Sequence, residues 1–171
     1  MTDDPGTERT LLLLRHAKAE SPRGVPDVDR PLSARGETDA SAVGAWLARH
    51  TLLPDVVLCS PARRTRETWQ AVAVGMTGDP PEGGPAGATP VVRAEAGIYQ
   101  ALPQTLLALL RTVPSTATTV LLVGHNPGVS LLSGLLDPAG VPVELRTAEL
   151  ATHRFRGPWS TLAAGRAPRN R

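Results

Sequence analysis

The sequence predicts an α/β fold, three layers deep, with a mostly parallel central sheet, and three observations carry that expectation. Short apolar runs rich in Leu and Val alternate with longer segments of helical periodicity, the pattern of strands joined by crossover helices. The runs are apolar at every position rather than every second one, as strands covered on both faces must be. The length of 171 residues suits one domain spanning 1–171, large enough to bury about two-thirds of its surface.

Taken in order, Thr10–Leu14 (TLLLL) is the first buried strand. Ser33–His50 follows as a helix: Ser33 has an N-capping side chain, and Ala42, Ala45, Trp46 and Leu47 form much of one apolar face. Asp55–Cys59 (DVVLC) is a second buried strand, and Pro61–Val74 a second helix with Pro61 in its first turn, where no amide proton is missed. Val91–Arg93 is a short strand, Pro103–Val113 a leucine-rich helix, and Thr119–Val123 (TVLLV) the clearest strand of all. Gly124–Pro127 turns into a further helix ending near Leu136, and Glu149–Phe155 makes a last strand. The Gly- and Pro-rich stretch Gly78–Pro90 reads as a mobile connection, and residues 1–9 and 163–171 as mobile tails.

Composition narrows the function. Lys+Arg 18 against Asp+Glu 16 leaves a net charge of +2, so no large single-sign field is implied. The basic residues are arginine except for Lys18, and arginine suits bidentate recognition of phosphate or carboxylate. The arginines are scattered and only 3% of residues are aromatic, which speaks against nucleic-acid binding. One cysteine, Cys59, excludes an intramolecular disulfide and any multi-cysteine metal site, and is expected in the core. No apolar run approaches the roughly 20 residues of a membrane span, and the acidic N-terminus is unlike a signal peptide, so a cytoplasmic protein without membrane partners is expected.

In open α/β sheets the ligand crevice lies beyond the carboxyl ends of the strands. After the first strong strand comes Arg15-His16, after the second Ser60-Pro61-Ala62-Arg63-Arg64, and after the third Gly124-His125-Asn126-Pro127. Three strand ends therefore deliver two histidines and several arginines, with no acidic cluster. A phosphoryl group is the natural ligand for guanidinium forks, and a neutral histidine is a competent nucleophile near pH 7. Such chemistry needs no metal or cofactor, because fixed arginines can stabilise the charge. Other phosphate chemistries fail on the residues: there is no Walker loop, a cysteine-phosphatase loop from Cys59 would need arginine where Thr65 stands, and HExxH is absent.

LLLLRHAKAE (11–20) resembles the signature of the histidine phosphatase superfamily, and Arg-His-Ala-Lys followed by DRPLSARG (29–36) resembles its small phosphohistidine phosphatase branch, the SixA type. SPARRTRET (60–68), VGHNPGVS (123–130) and RTAELA (146–151) are similar to later motifs of that branch. The resemblance implies a phosphoglycerate-mutase-like fold, His16 as nucleophile, and Arg15, Arg64 and His125 completing the phosphate pocket. It further implies a metal-independent phosphatase acting through a phosphohistidine intermediate on phosphohistidine in proteins, with a histidine-phosphorylated signalling protein as partner. Small phosphate esters on the same site, or phosphate or partner binding without catalysis, are the alternatives.

Asn126 and Arg30 are further substrate-side candidates, although Arg30 could equally pair with Asp27 or Asp29. Lys18 and Ser21 are candidates for the pocket edge, whereas Arg63, Arg66, His50 and His153 are assigned no site role. Mutase-like members of the superfamily carry a general-acid glutamate after the third strand. Aligning GIYQA (97–101) puts Gln100 at that place, which has no acidic proton, and Glu95 lies nearby out of register.

Overall fold

Five of the apolar runs lie side by side. In the computed structural model, which describes residues 5–78 and 89–170, strands β1 (Glu8–Arg15), β2 (Val56–Cys59), β3 (Val91–Ala94), β4 (Thr119–Gly124) and β5 (Leu150–Arg156) form one sheet in the order β3-β2-β4-β1-β5. All neighbours run parallel except β5, which is antiparallel to β1 at the edge. Helices α1 (Ala34–Arg49) and α2 (Arg63–Thr77) cover one face, and α3 (Pro103–Leu110) and α4 (Gly128–Leu136) the other. This is the expected three-layer, mostly parallel α/β architecture.

Strand alternation divides the apolar runs between two cores. Leu12, Leu14, Val57, Cys59, Leu121 and Val123 point toward Ala40 and Leu47 of α1 and Val72 of α2. Leu11, Leu13, Val56, Leu58, Val120 and Leu122 point the other way, toward Leu106 and Leu110 of α3 and Val129 and Leu132 of α4. Every one of these strand residues is at most 6% exposed, so the continuous hydrophobicity of the sequence is the direct mark of a sheet covered twice.

Glycines set how close the helices come. An added Cβ on Gly44 of α1 would lie 2.0 Å from the Val72 carbonyl oxygen of α2, and one on Gly75 of α2 would lie 2.0 Å from that of Ser41. The two helices therefore touch backbone to backbone. The α1 N-cap is Ser33, whose hydroxyl accepts from the Gly36 amide at 3.0 Å.

Element ends shift by a few residues. α2 starts at Arg63 rather than Pro61, because Ala62 is held extended as its N-cap. α3 stops at Leu110 rather than Val113, since Pro114 disfavours helical backbone just before it. Part of each expected tail is held in the fold. Glu8 and Arg9 pair with Arg156 and Phe155, and Arg9 is buried with its guanidinium on the carbonyls of Gly157 and Ser115. At the other end, the Ala167 amide donates to Leu136, and Arg169 bridges His153 along the β5 edge. Residues 168–170 pair with the β5 edge, and 165 and 167 bond to the end of α4, which holds this part of the expected tail. Most of the expected mobile connection Gly78–Pro90 lies outside the described residues.

Candidate active site

Register brings the three strand ends together. Arg15 of β1 pairs with Gly124 of β4, and Cys59 of β2 pairs with Val123, so the residues that follow, His16, Ser60 and His125, emerge at one level of the sheet. The His16 amide donates to the Gly124 carbonyl and the Ser60 amide to that of Val123, which carries the ladder one step past the strands.

His16 is 9% exposed, and its Nδ1 lies 2.8 Å from the carbonyl oxygen of Ala17. A carbonyl can only accept, so Nδ1 carries the proton and Nε2 keeps its lone pair. Burial holds the imidazole well below its ordinary range, at about 4, and the charges of Arg64, Arg15 and Arg30 press the same way against the opposing Ala17 bond. The ring is neutral at pH 7. Ala17 is itself pinned: its amide donates to Thr68 Oγ1 at 3.0 Å, while that hydroxyl donates to the Arg64 carbonyl at 2.6 Å.

His125 stands beside it, ring centroids 5.4 Å apart. Its Nε2 is 2.8 Å from the hydroxyl of the fully buried Ser60, which accepts from the Ala62 amide at 3.4 Å. Ser60 is then free to donate its proton to Nε2, which places the His125 proton on Nδ1, a buried nitrogen without a hydrogen-bond partner. Burial first, and then the charge of Arg64, lower the His125 pKa to about 3.

Arg15 and Arg64 flank the pair. Arg15 Nη1 donates to the Leu145 carbonyl at 3.0 Å, and Arg64 is only 6% exposed. The Nε groups of both arginines are buried without partners, as His125 Nδ1 is. Each such unsatisfied group costs about 1–3 kcal/mol. Arg15 and Arg64 both act on the His16 and His125 rings, and unpartnered N–H donors of this kind suit an anion.

Arg64 reaches a residue that sequence reasoning did not select. Its Nη1 donates to the Asp27 carbonyl at 2.6 Å and its Nη2 to Asp27 Oδ2 at 3.0 Å. Tyr99 donates its hydroxyl to the same Oδ2 at 2.6 Å, and Arg30 Nη1 lies 3.2 Å from Oδ1. Tyr99 also packs its ring edge-on to His125, centroids 5.5 Å apart, with the Arg64 guanidinium 6.0 Å from its ring centre. The Tyr99 bond, reinforced by Arg30 and Arg64, holds the Asp27 carboxyl down at about 2, and Asp27 in turn pushes the Tyr99 hydroxyl up, so the phenol keeps its proton.

The structure thus brings Arg15, His16, Arg64 and His125 together, with Arg30 at the margin through Asp27, the pairing partner already considered for it. Asn126, expected as a substrate-side contact, has both ends of its amide engaged within the fold. Its Nδ2 donates to the Leu145 carbonyl at 2.8 Å and its Oδ1 accepts from Ser130 at 2.5 Å, so the amide braces the carbonyl that anchors Arg15. Glu95 is ion-paired with Arg93 at 2.5 Å. Lys18 and Ser21 are exposed, Arg63 pairs with Glu67, and Cys59 is buried with its thiol pushed up to about 12. Ser60, Thr68 and Tyr99 carried one signal beforehand, lying inside the segments 60–68 and 97–101, and Asp27 lies two residues before the segment 29–36. Among the described residues no group of three or more His, Cys, Asp or Glu is placed to hold a metal ion, and no helix is long and apolar enough to cross a membrane.

Comparison with known proteins agrees with this geometry. The profile of the histidine phosphatase superfamily (branch 1) matches residues 11–82. An uncharacterised protein of Mycobacterium tuberculosis is 31% identical over 161 residues, covering 89% of this chain and 93% of that one. Among solved structures, a candidate phosphohistidine phosphatase SixA from Nakamurella multipartitia is 32% identical, covers 98% of this chain and 96% of its own, and superposes with a TM-score of 0.79. A second such SixA candidate, from Agrobacterium tumefaciens, is 28% identical over 85% of this chain and 91% of its own, with a TM-score of 0.70.

Proposed function

Because this chain belongs to the histidine phosphatase superfamily, in its SixA-type branch, and is a phosphatase of that family, we propose that it works through a covalent intermediate on His16 and that its substrate is phosphohistidine on proteins. The observation that carries the proposal is the pairing of His16, neutral with its lone pair on Nε2, with three buried, unpartnered N–H donors from Arg15, Arg64 and His125.

His16 Nε2 attacks phosphorus, and the bond from phosphorus to the leaving atom breaks with its electron pair on that atom. Arg15, Arg64 and His125 donate to the phosphoryl oxygens as charge spreads over them, so metal is not required. The proton stays on Nδ1, donated to the Ala17 carbonyl, so the phosphorylated ring is cationic and that bond strengthens as charge develops. Water then attacks phosphorus, the electron pair of the P–N bond returns to His16 Nε2, and phosphate leaves with the protons of the water.

Phosphohistidine is favoured because the positions expected to hold a general acid offer none. Gln100 has no acidic proton, and Glu95 is an ion-paired carboxylate. An alkoxide departs slowly without a proton donor, whereas imidazole is a far better leaving group.

The test is a rapid quench in EDTA with a phosphohistidine peptide. Wild type should carry an acid-labile, alkali-stable phosphate on the peptide containing His16, and His16→Ala should lose about a thousandfold or more in turnover while keeping its fold. Turnover surviving in His16→Ala would end the proposal.

A further inference from the structure

We infer that Asp27 is the specificity-determining residue for the leaving group: its carboxylate, held between Tyr99, Arg64 and Arg30 at the mouth of the site, accepts a hydrogen bond from the ring N–H of a cationic phosphohistidine and discriminates against substrates whose leaving group departs as an anion. This rests on the phosphatase reading above and assigns the residue that selects among substrates.

Lone-pair accounting places the contact. A carboxylate has about four acceptor sites, two on each oxygen. Oδ2 is filled by Tyr99 at 2.6 Å and Arg64 at 3.0 Å, whereas Oδ1 takes only Arg30, at 3.2 Å. One acceptor site on Oδ1 is left over, and the Asp27 side chain is 51% exposed. Three donors converge on this carboxylate, so it stays ionised at any working pH and cannot serve as a general acid. Of the charged groups acting on His125 among the described residues, Asp27 supplies the negative charge.

That sign matters to the leaving group. A phosphohistidine ring protonated at its distal nitrogen is cationic. When its P–N bond breaks, the electron pair returns to the ring nitrogen and neutral imidazole departs, its distal proton still in place. No proton has to be delivered, and the carboxylate holds the distal N–H throughout. A serine phosphate instead places a developing negative charge near Asp27, which repels it.

The experiment measures kcat/KM of wild type, Asp27→Asn, Asp27→Ser and Tyr99→Phe on three probes: a phosphohistidine peptide, its phosphoserine equivalent and p-nitrophenyl phosphate. In either Asp27 variant the Arg64 bond to the residue 27 backbone carbonyl can persist, so the arginine keeps an anchor. The expected result is a fall of about tenfold or more in kcat/KM for the phosphohistidine peptide relative to that for p-nitrophenyl phosphate, the scale of one lost charge-assisted hydrogen bond. Tyr99→Phe keeps the charge and should hold the wild-type preference within about threefold. Equal losses on all probes, an unchanged preference in both Asp27 variants, or a collapse of preference in Tyr99→Phe would overturn the inference. A wild type that forms no phosphorylated His16 from any probe would instead overturn the phosphatase mechanism itself.

Discussion

His16 and His125 lie side by side under three arginines, and that crowding decides their protonation. Burial takes away water that would stabilise a charged imidazole, and the guanidiniums repel one. Both rings are therefore neutral above about pH 5, which is what a nucleophile and a neutral hydrogen-bond donor each require. Ring-nitrogen NMR should show neither histidine titrating between pH 5.5 and 8, with the His16 proton on Nδ1 throughout. Arg64→Gln should move the His16 midpoint upward by removing a positive neighbour. A midpoint near 6.5 in wild type would show that the arginines and the burial do not act as described. Ser60 belongs to the same scale: it fixes which His125 nitrogen carries the proton, although its own side chain is sealed from solvent.

At the scale of elements, the site is held by contacts between strand ends and α2. Thr68 bonds the Ala17 amide, and the neighbouring Glu67 accepts from the Leu32 amide at 2.7 Å, so α2 anchors both the segment after β1 and the segment leading into α1. Its position against α1 depends on Gly44 and Gly75. Gly44→Ala should therefore push the helices apart rather than stabilise α1 through better helix propensity. We expect a loss of about 1–3 kcal/mol, the usual cost of overpacking, read as a lower denaturant midpoint. An unchanged or raised midpoint would mean the crossing can relax without cost. Register was the part of this arrangement least visible beforehand. TLLLL, DVVLC and TVLLV could be read as strands, but a continuous apolar run looks the same in every register, so nothing in them says that Arg15 meets Gly124.

At the scale of the whole molecule, the buried histidines make stability depend on pH. His16, His125 and the fully buried His153 all have folded-state pKa values below the 6.5 of an exposed ring. Below pH 6.5 the unfolded chain binds protons that the folded chain refuses, so stability falls as pH drops from 6.5 toward 4. Asp27 has the opposite ionic form but the same consequence: its folded-state value of about 2 favours the fold above pH 3.8 and is lost between there and pH 2. The Tm should decline steadily from pH 7 to pH 5, and less steeply in His153→Gln. A Tm that is flat or rises over this interval would contradict the account.

The sequence alone determined the alternation of strands and helices, the double covering of the sheet, and the three strand ends that supply histidine and arginine. Those features follow from periodicity and from the rule that parallel strands present their carboxyl ends to the ligand, both of which are local. The tertiary structure decided what depends on distance. It gave Asn126 partners in Leu145 and Ser130, and tied residues 168–170 to the β5 edge. It also put Asp27 and Tyr99, which are 72 residues apart, on one hydrogen bond beside Arg64. Hydrogen-bond partners far apart in sequence leave no periodic trace, because what selects them is the meeting of two surfaces once the sheet has formed.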